Sequence, residues 1–370
     1  MKDPTHGASH DRELDLLVVG AGPTGIAIGA EARRRGLAVL LLDRGPLVAA
    51  IQGYPTDLVF FTTRDKLEIA GVPFTIAEDK PSRRQAIVYY RGVVESHGVP
   101  LALGEEVAAV TPPPAPGGRF TVESVRRGER HVRHARAVAL ATGYFDNPLR
   151  LGVPGEELPW VGHRYLDPYR HYGQHVVVVG AGNTAAEAAL DLWRNGVRVT
   201  LVHRRRGVKR SVKYWLKPDV ENRVEEGSIA ARWETVVTAF REDGEARFVD
   251  VCAAGSAAGA AAVESIPADA AYVFIGYEPD VSLQRGAGVE VDPETLVPAH
   301  DPATCESNVP GLYVAGTLLA GKATDRIFIE NSRQHAPLIV GHLAARLGSG
   351  TSSGEGASSS EDAPALLAGH

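Results

Sequence analysis

Four apolar residues, Leu16-Leu17-Val18-Val19, run without a polar break into Gly20-Ala21-Gly22-Pro23-Thr24-Gly25. An unbroken apolar run of that length, closed by glycine, predicts a buried strand and a tight turn. Gly25 and Gly29 predict a helix that lies close to the strand. A second apolar run, Ala38 to Leu42, ends at Asp43, so residues 14–43 form a strand–turn–helix–strand unit. Between Asp43 and Arg83 lies a long insertion rich in aromatics and turns. From Arg83 to His97 apolar residues recur at helical spacing, at Ile87, Tyr90 and Val94, and Gly98 closes the helix. Alternation then takes over on both sides of the turn Arg127-Gly128-Glu129, where Phe120–Ser124 and His131–Arg136 predict a small antiparallel meander. The buried strand Ala137–Ala141 follows, ending at Thr142-Gly143.

The whole pattern then recurs. Val176–Val179 enters Gly180-Ala181-Gly182-Asn183-Thr184-Ala185, and the strand Val197–Val202 ends at His203. A second meander (Thr235–Phe240 and Arg247–Cys252 about Asp243-Gly244) precedes the strand Ala271–Ile275 and Gly276. After Asp280 the chain returns to the first unit, through the strand Gly311–Gly316, to a final helix, Ile327–Leu347, in which Pro337 predicts a kink or restart. The expected fold is α/β: two Rossmann-like dinucleotide-binding domains, each with a small antiparallel β-meander, the second inserted into the first. The expected boundaries are 14–160 with 295–347 for the first and 161–294 for the second. Residues 1–13 read as a disordered leader and 348–370 as a Gly/Ser/Ala-rich disordered tail.

With 370 residues there is enough chain for two sizeable cores. A net charge of −6 gives no electrostatic case for nucleic acid. No apolar run approaches a membrane span, and the N-terminus has no signal-peptide core, so a cytoplasmic protein is expected. The two cysteines, Cys252 and Cys305, form no C-x-x-C, and the histidines do not cluster at ligand spacings, so neither a dithiol nor a metal site is expected.

Both glycine fingerprints carry the same chemistry. The first glycine permits the turn, the second lets a pyrophosphate approach the backbone, and the third lets the helix pack closely; the helix N-terminus then faces the diphosphate. What differs is the residue ending the second strand, 23 positions after the first glycine in each copy. In copy one it is Asp43, followed by Arg44; a carboxylate accepts from a ribose diol and repels a 2′-phosphate. In copy two it is His203, followed by Arg204, Arg205 and Arg206, and guanidinium groups suit a phosphate. Copy two is therefore expected to hold NADPH. Copy one is expected to hold FAD, because a nicotinamide and a flavin exchange a hydride directly.

Gly20-x-Gly22-x-x-Gly25, Ala141-Thr142-Gly143 and Tyr313-Val314-Ala315-Gly316 resemble the flavoproteins related to low-molecular-weight thioredoxin reductase. A closer resemblance is carried by Tyr54-Pro55-Thr56, Phe60-Phe61, Asp65-Lys66-Leu67, Val72-Pro73-Phe74, Val88-Tyr89-Tyr90-Arg91, Tyr144 and Ile327-Phe328-Ile329-Glu330-Asn331. Over about residues 14–345 the chain is similar to the YpdA family of bacillithiol-disulfide reductases. The resemblance implies a homodimeric FAD enzyme that oxidises NADPH and reduces a low-molecular-weight disulfide without a C-x-x-C. The positions expected at FAD are Gly20, Gly22, Pro23, Thr24, Gly25, Asp43, Arg44, Tyr54, Phe60, Val107, Thr142, Gly143 and Gly316. Those expected at NADPH are Gly180, Gly182, Asn183, Thr184, Ala185, His203, Arg204, Arg205 and Gly276.

Better-known members of that family carry a cysteine where this chain has Thr24. A threonine cannot form a mixed disulfide, so Thr24 is the candidate catalytic position with a role other than a cysteine relay. Cys252 reads as a small core residue. Tyr54 and Tyr144 read equally as flavin neighbours or as core aromatics. His335 reads as a surface residue, with a proton-donor role as the alternative. Three functions are compatible with this sequence: a low-molecular-weight disulfide reductase, a thioredoxin-reductase-like reductase of a small electron carrier such as ferredoxin or flavodoxin, and a non-enzymatic NADPH or redox sensor.

Overall fold

The computed structural model describes residues 13–256 and 262–349. The expected leader through residue 12 and the tail from residue 350 lie outside them. Glu13, at the predicted leader's end, pairs with Arg119 and Arg136.

The first fingerprint folds as predicted: β1 (Leu14–Val19), α1 (Pro23–Arg34) and β2 (Val39–Asp43). The insertion carries two single-turn helices, α2 (Ala49–Gln52) and α3 (Arg64–Leu67). The helix α4 (Arg83–His97) starts at a capping box between Ser82 and Gln85 and stops at Gly98, which is left-handed. These are the cap chemistries that satisfy a helix's free end groups. Strands β3 (Leu101–Leu103), β4 (Glu105–Thr111), β5 (Phe120–Arg126) and β6 (Glu129–Leu140) follow.

Strand β6 performs two jobs that the sequence reading gave to separate strands. Its first half pairs antiparallel with β5 and mostly alternates between covered and exposed positions; its last four residues are wholly buried and pair parallel with β1. One long strand thus carries the parallel sheet into the meander. The resulting seven-stranded sheet has the order β3-β2-β1-β6-β5-β4, and β15 (Leu312–Val314) adds to β6 in parallel.

The second unit repeats the layout with β7 (Val161–Gly162), β8 (His175–Val179), α5 (Asn183–Arg194), β9 (Arg198–His203), α6 (Lys217–Glu225) and β10 (Ala230–Trp233). Its meander, β11 (Thr235–Asp243), β12 (Ala246–Ala253) and β13 (Glu264–Pro267), is a separate three-stranded sheet, and β14 (Ala270–Val273) returns to the parallel one, of order β10-β9-β8-β14-β7. Alternation along β8 decides the layers. Val176 and Val178 face α5 and its alanines, whereas Val177 and Val179 face Val237, Val249 and Val251 of the meander.

The chain crosses between units near Pro148 and Tyr277, which form a β-bridge. The return follows Asp280. Val281, Ala287 and Val289, about α7 (Ser282–Gly286), already pack in the core of the first unit. At the C-terminus the predicted break is real. A short α8 (Ile329–Ser332) ends, and α9 (His335–Ser349) restarts with Pro337 in its first turn, where its missing N–H costs nothing. Helix α9 runs two residues into the predicted tail. Among the described residues no helix is long and apolar enough to cross a membrane, and no three metal-binding side chains cluster.

Candidate functional site

The first fingerprint opens onto a cavity of about 660 Å³. Its turn is shaped by contacts that exclude side chains. Gly20 has φ +112°, and a Cβ there would lie 2.4 Å from the Ala141 carbonyl oxygen; a Cβ on Gly25 would lie 1.9 Å from the Gly20 oxygen. Gly22 differs: a Cβ there would meet nothing within 4 Å. The backbone at Gly22 is therefore bare toward the cavity. Gly22 is also the N-cap of α1, and no side chain caps that end. Free N–H donors beside an open backbone are what an anionic pyrophosphate requires.

Asp43 lines the cavity, and its two oxygens accept the N–H groups of Ala21 and Gly45, each at 2.7 Å. The carboxylate pins the fingerprint turn and keeps further lone pairs for a ribose. Arg44 pairs with Asp146 and, at 3.6 Å, with Glu106. Val107 lies on the wall beside Glu105, whose buried carboxylate holds Ser124 and Arg133. Tyr54 lines the cavity and packs edge-on against Phe145 at 4.7 Å. Burial pushes its phenol above its ordinary pKa. Phe60 does not reach the wall; it sits in the core behind Tyr54, 6.2 Å away. Tyr144 is on the wall, donates to the Thr324 carbonyl at 2.9 Å, and is raised to about 12 by burial.

A polar wall gathers at Thr24. Its hydroxyl donates to Ser332 Oγ at 3.0 Å across a sequence separation of 308. Gly316, with φ +75°, stands against Thr24, and its N–H donates to His335 Nδ1 at 3.0 Å. His335 is thus half-buried and held by the backbone, which corrects the surface reading. Accepting at Nδ1 places its proton on Nε2, and burial, with His300 nearby, lowers its pKa. Thr142, on the wall beside Gly143, accepts from Gln284 Nε2 at 3.3 Å. Gln284 is fully buried and its Oε1 has no partner. The sequence reading missed Ser332 and Gln284, because only chain return brings α7 and α8 to this wall. No local pattern marked them.

The second fingerprint reproduces the first. Gly180 has φ +129°, with a Cβ blocked at 2.3 Å by the Phe274 carbonyl oxygen, while Gly182 is open and caps α5 with no side-chain bond. Thr184 is exposed on the first turn of α5, and Ala185 is buried beneath it. The loop after β9 folds back over this turn: Lys209 N–H donates to Ala181, and Lys213 N–H donates to Asn183 Oδ1. Arg204, Arg205 and Arg206 are exposed. His203 is not available there. It is buried beside Trp233, with Nε2 unpartnered, and burial together with the cations Lys209, Arg204 and Arg205 lowers its pKa. Gly276, at φ +128°, stands two residues after Phe274, whose carbonyl abuts the Gly180 turn, and its own carbonyl accepts the Leu149 N–H.

Neither cysteine lines the cavity. Cys305 is buried, its thiol pushed up to about 11, and Cys252 lies on β12. Two uncapped glycine turns, one opening on a long cavity with an orphaned buried amide beside it, fit two dinucleotides.

Comparison with known proteins agrees. The family model for pyridine nucleotide-disulphide oxidoreductases matches residues 17–316. The bacilliredoxin reductase Bdr of Bacillus subtilis is 34% identical over 331 residues, covering 90% of this chain and 96% of that protein. The structure of the bacillithiol disulfide reductase Bdr (YpdA) from Bacillus cereus superposes with a TM-score of 0.83 at 33% identity, covering 90% of this chain and all of the other. A ferredoxin–NADP reductase of Ignicoccus hospitalis is 27% identical over 82% of this chain and 90% of its own length. With two open glycine turns and this extent of likeness, the chain belongs to the pyridine nucleotide-disulphide oxidoreductases and, within them, to the Bdr (YpdA) family of flavoprotein disulfide reductases.

Proposed function

We propose that this enzyme oxidises NADPH and reduces a bacillithiol-type disulfide, with the balance NADPH + H⁺ + RSSR → NADP⁺ + 2 RSH. The observation that carries the reading is the likeness to Bdr over nine-tenths of the chain, joined to two open glycine turns of different charge. NADPH would lie on Gly180, Gly182 and Asn183 to Ala185, with its 2′-phosphate held by Arg204 and Arg205. FAD would lie on Gly20, Gly22, Pro23, Thr24 and Gly25, with its ribose at Asp43. Tyr54, Val107, Thr142, Gly143 and Gly316 would close round it. Bound FAD supplies the two-electron chemistry between hydride donor and disulfide.

The protein's part is to bind, orient and exclude water. The N-termini of α1 and α5 offer uncapped N–H groups to the two pyrophosphates. Thr24 positions rather than attacks: its hydroxyl is given to another hydroxyl, Ser332, and no base is hydrogen-bonded to it. A cytoplasmic homodimer completes the reading, and both free cysteines suit a reducing compartment. Reduction of a ferredoxin or flavodoxin is the second reading, favoured by the lack of a thiol at the cavity wall and by the ferredoxin–NADP reductase relative.

The test is stopped-flow spectroscopy on the anaerobic holoprotein. NADPH should bleach the flavin, and bacillithiol disulfide should reoxidise it rapidly. Reoxidation by oxidised ferredoxin alone would select the second reading. A protein that binds no FAD would reject both.

A further inference from the structure

Four large aromatic side chains stand in solvent on one face: Tyr214 at 84%, Trp215 at 48%, Phe61 at 44% and Phe328 at 37% exposure. They come from three separated segments and both units. Phe61 and Phe328 meet edge-on at 5.9 Å, and Tyr214 and Trp215 at 4.9 Å. Lys213 joins the pairs, its Nζ 5.0 Å from the Phe61 ring and 5.6 Å from the Trp215 ring, while it pairs with Glu187 at 2.7 Å. The four rings therefore form one patch that exists only where the loop after β9 meets the insertion and α8. Ile329, next to Phe328, and Ser332 line the FAD cavity, so the patch borders its wall.

A contiguous exposed aromatic patch is costly to leave in water and marks a contact surface. None of the four rings lines the 660 Å³ cavity. Small molecules are held in concave sites, whereas these rings lie on an open face, which suits a macromolecule. Charge narrows the partner. Beyond the arginines assigned to the 2′-phosphate, the stretch from Gly207 to Lys217 has four basic residues, Lys209, Arg210, Lys213 and Lys217, and no acidic one, although the chain's net charge is −6. Lys209 and Arg210 are exposed beside the rings' own segment. A basic, aromatic face on an otherwise acidic protein attracts an acidic partner and steers it.

We infer that Phe61, Lys213, Tyr214, Trp215 and Phe328 form the docking surface for a small acidic redox protein that presents its disulfide at the edge of the FAD cavity. The inference rests on the disulfide-reductase reading and adds where on this chain a protein acceptor docks. Because the patch spans both units, docking also reports their mutual placement.

The test compares wild type with the double variant Tyr214→Ser/Trp215→Ser and with Arg210→Glu, all as FAD-loaded full-length protein at saturating NADPH. The acceptors are an oxidised bacilliredoxin and bacillithiol disulfide. With the bacilliredoxin, kcat/KM should fall at least about tenfold in the double variant, as for loss of aromatic anchors. With bacillithiol disulfide it should change less than about twofold. Arg210→Glu should lower only the protein rate, and salt near the Debye regime, about 0.1 M, should reduce that rate in wild type. Equal losses with both acceptors, or no loss with the protein, would overturn the inference. Direct titration of bacilliredoxin onto the enzyme separates it from the parent reading. If neither acceptor is turned over but wild type binds and the double variant does not, the docking surface stands and the function falls. Absence of binding by wild type overturns the docking surface itself. Light scattering closes the remaining route: a dimer that becomes a monomer on Tyr214→Ser/Trp215→Ser would assign the patch to a second copy of this chain and refute the inference.

Discussion

Gly22 and Gly25 belong to one motif, yet the structure assigns them opposite tasks, and alanine at each should separate folding from cofactor binding. A Cβ on Gly25 would stand 1.9 Å from the Gly20 carbonyl oxygen and 3.5 Å from Val18 Cγ1. The first obstacle is backbone, held where Gly20 N–H donates to Leu42 and its Cα faces Ala141. Relief requires α1 or the turn to move by more than about 1 Å in a close-packed region. Overpacking costs about 1–3 kcal/mol, a clash with backbone falling at the upper end, and the better helix propensity of alanine offsets about 1 kcal/mol. The net loss of about 2 kcal/mol should lower the Tm of FAD-free protein by roughly 4–8 °C, for a cooperative unit of about 200 residues. Gly22→Ala meets no atom within 4 Å, and its φ of −79° and ψ of 177° suit alanine. Its Tm without FAD should therefore match wild type. Its methyl group would stand where the pyrophosphate approaches, so the FAD dissociation constant should rise about tenfold or more, near 1.4 kcal/mol. Thermal unfolding of the stripped proteins and flavin fluorescence titration measure the two effects. If Gly25→Ala melts with wild type, or Gly22→Ala melts as low as Gly25→Ala is expected to, the division of labour is wrong.

Replacing Arg204 and Arg205 with serine should raise the KM for NADPH by about 5–150-fold, equivalent to about 1–3 kcal/mol of charged hydrogen bonding, and leave NADH nearly unchanged; equal effects would reject the 2′-phosphate assignment. Thr24→Val removes the bond to Ser332, which costs about 0.5–1.5 kcal/mol, and turnover should stay within about tenfold of wild type. A loss beyond about a thousandfold with FAD retained would make Thr24 a reacting group. His335 accepts the Gly316 N–H only when neutral, and its folded pKa lies below the unfolded value. The unfolded chain then binds more protons in acid, so the stability His335 contributes is present above about pH 6.5 and is lost as pH falls through the folded pKa. His335→Gln should flatten that acid limb in unfolding titrations; an unchanged slope would place it on the other buried histidines, His175 and His203.

How much was legible from sequence follows from the range of each interaction. Strand, turn and helix at both fingerprints depend on residues within about 30 positions, and apolar runs, glycine spacing and the 23-residue offset to Asp43 and His203 declared them. The doubled plan, the stop of α4 at Gly98 and the restart at Pro337 were readable for the same reason. The sequence also set the charge contrast between Asp43 and the arginines after His203. It could not say that His203 itself turns inward against Trp233, because a residue ending a strand is followed by either face. Phe60 and Tyr54 looked alike as aromatics of one insertion, and only packing put one behind the other. Most of all, the polar wall at Thr24 is assembled by Ser332, Gly316, His335 and Gln284, which reach it through β15, α7 and the helices at the end of the chain. Hydrogen bonds made across some 300 residues leave no periodicity and no spacing behind. The sequence alone determined which local units would form and what charge each crevice would carry. The tertiary structure alone decided which distant side chains would meet there, because closing the chain on itself is what creates those contacts.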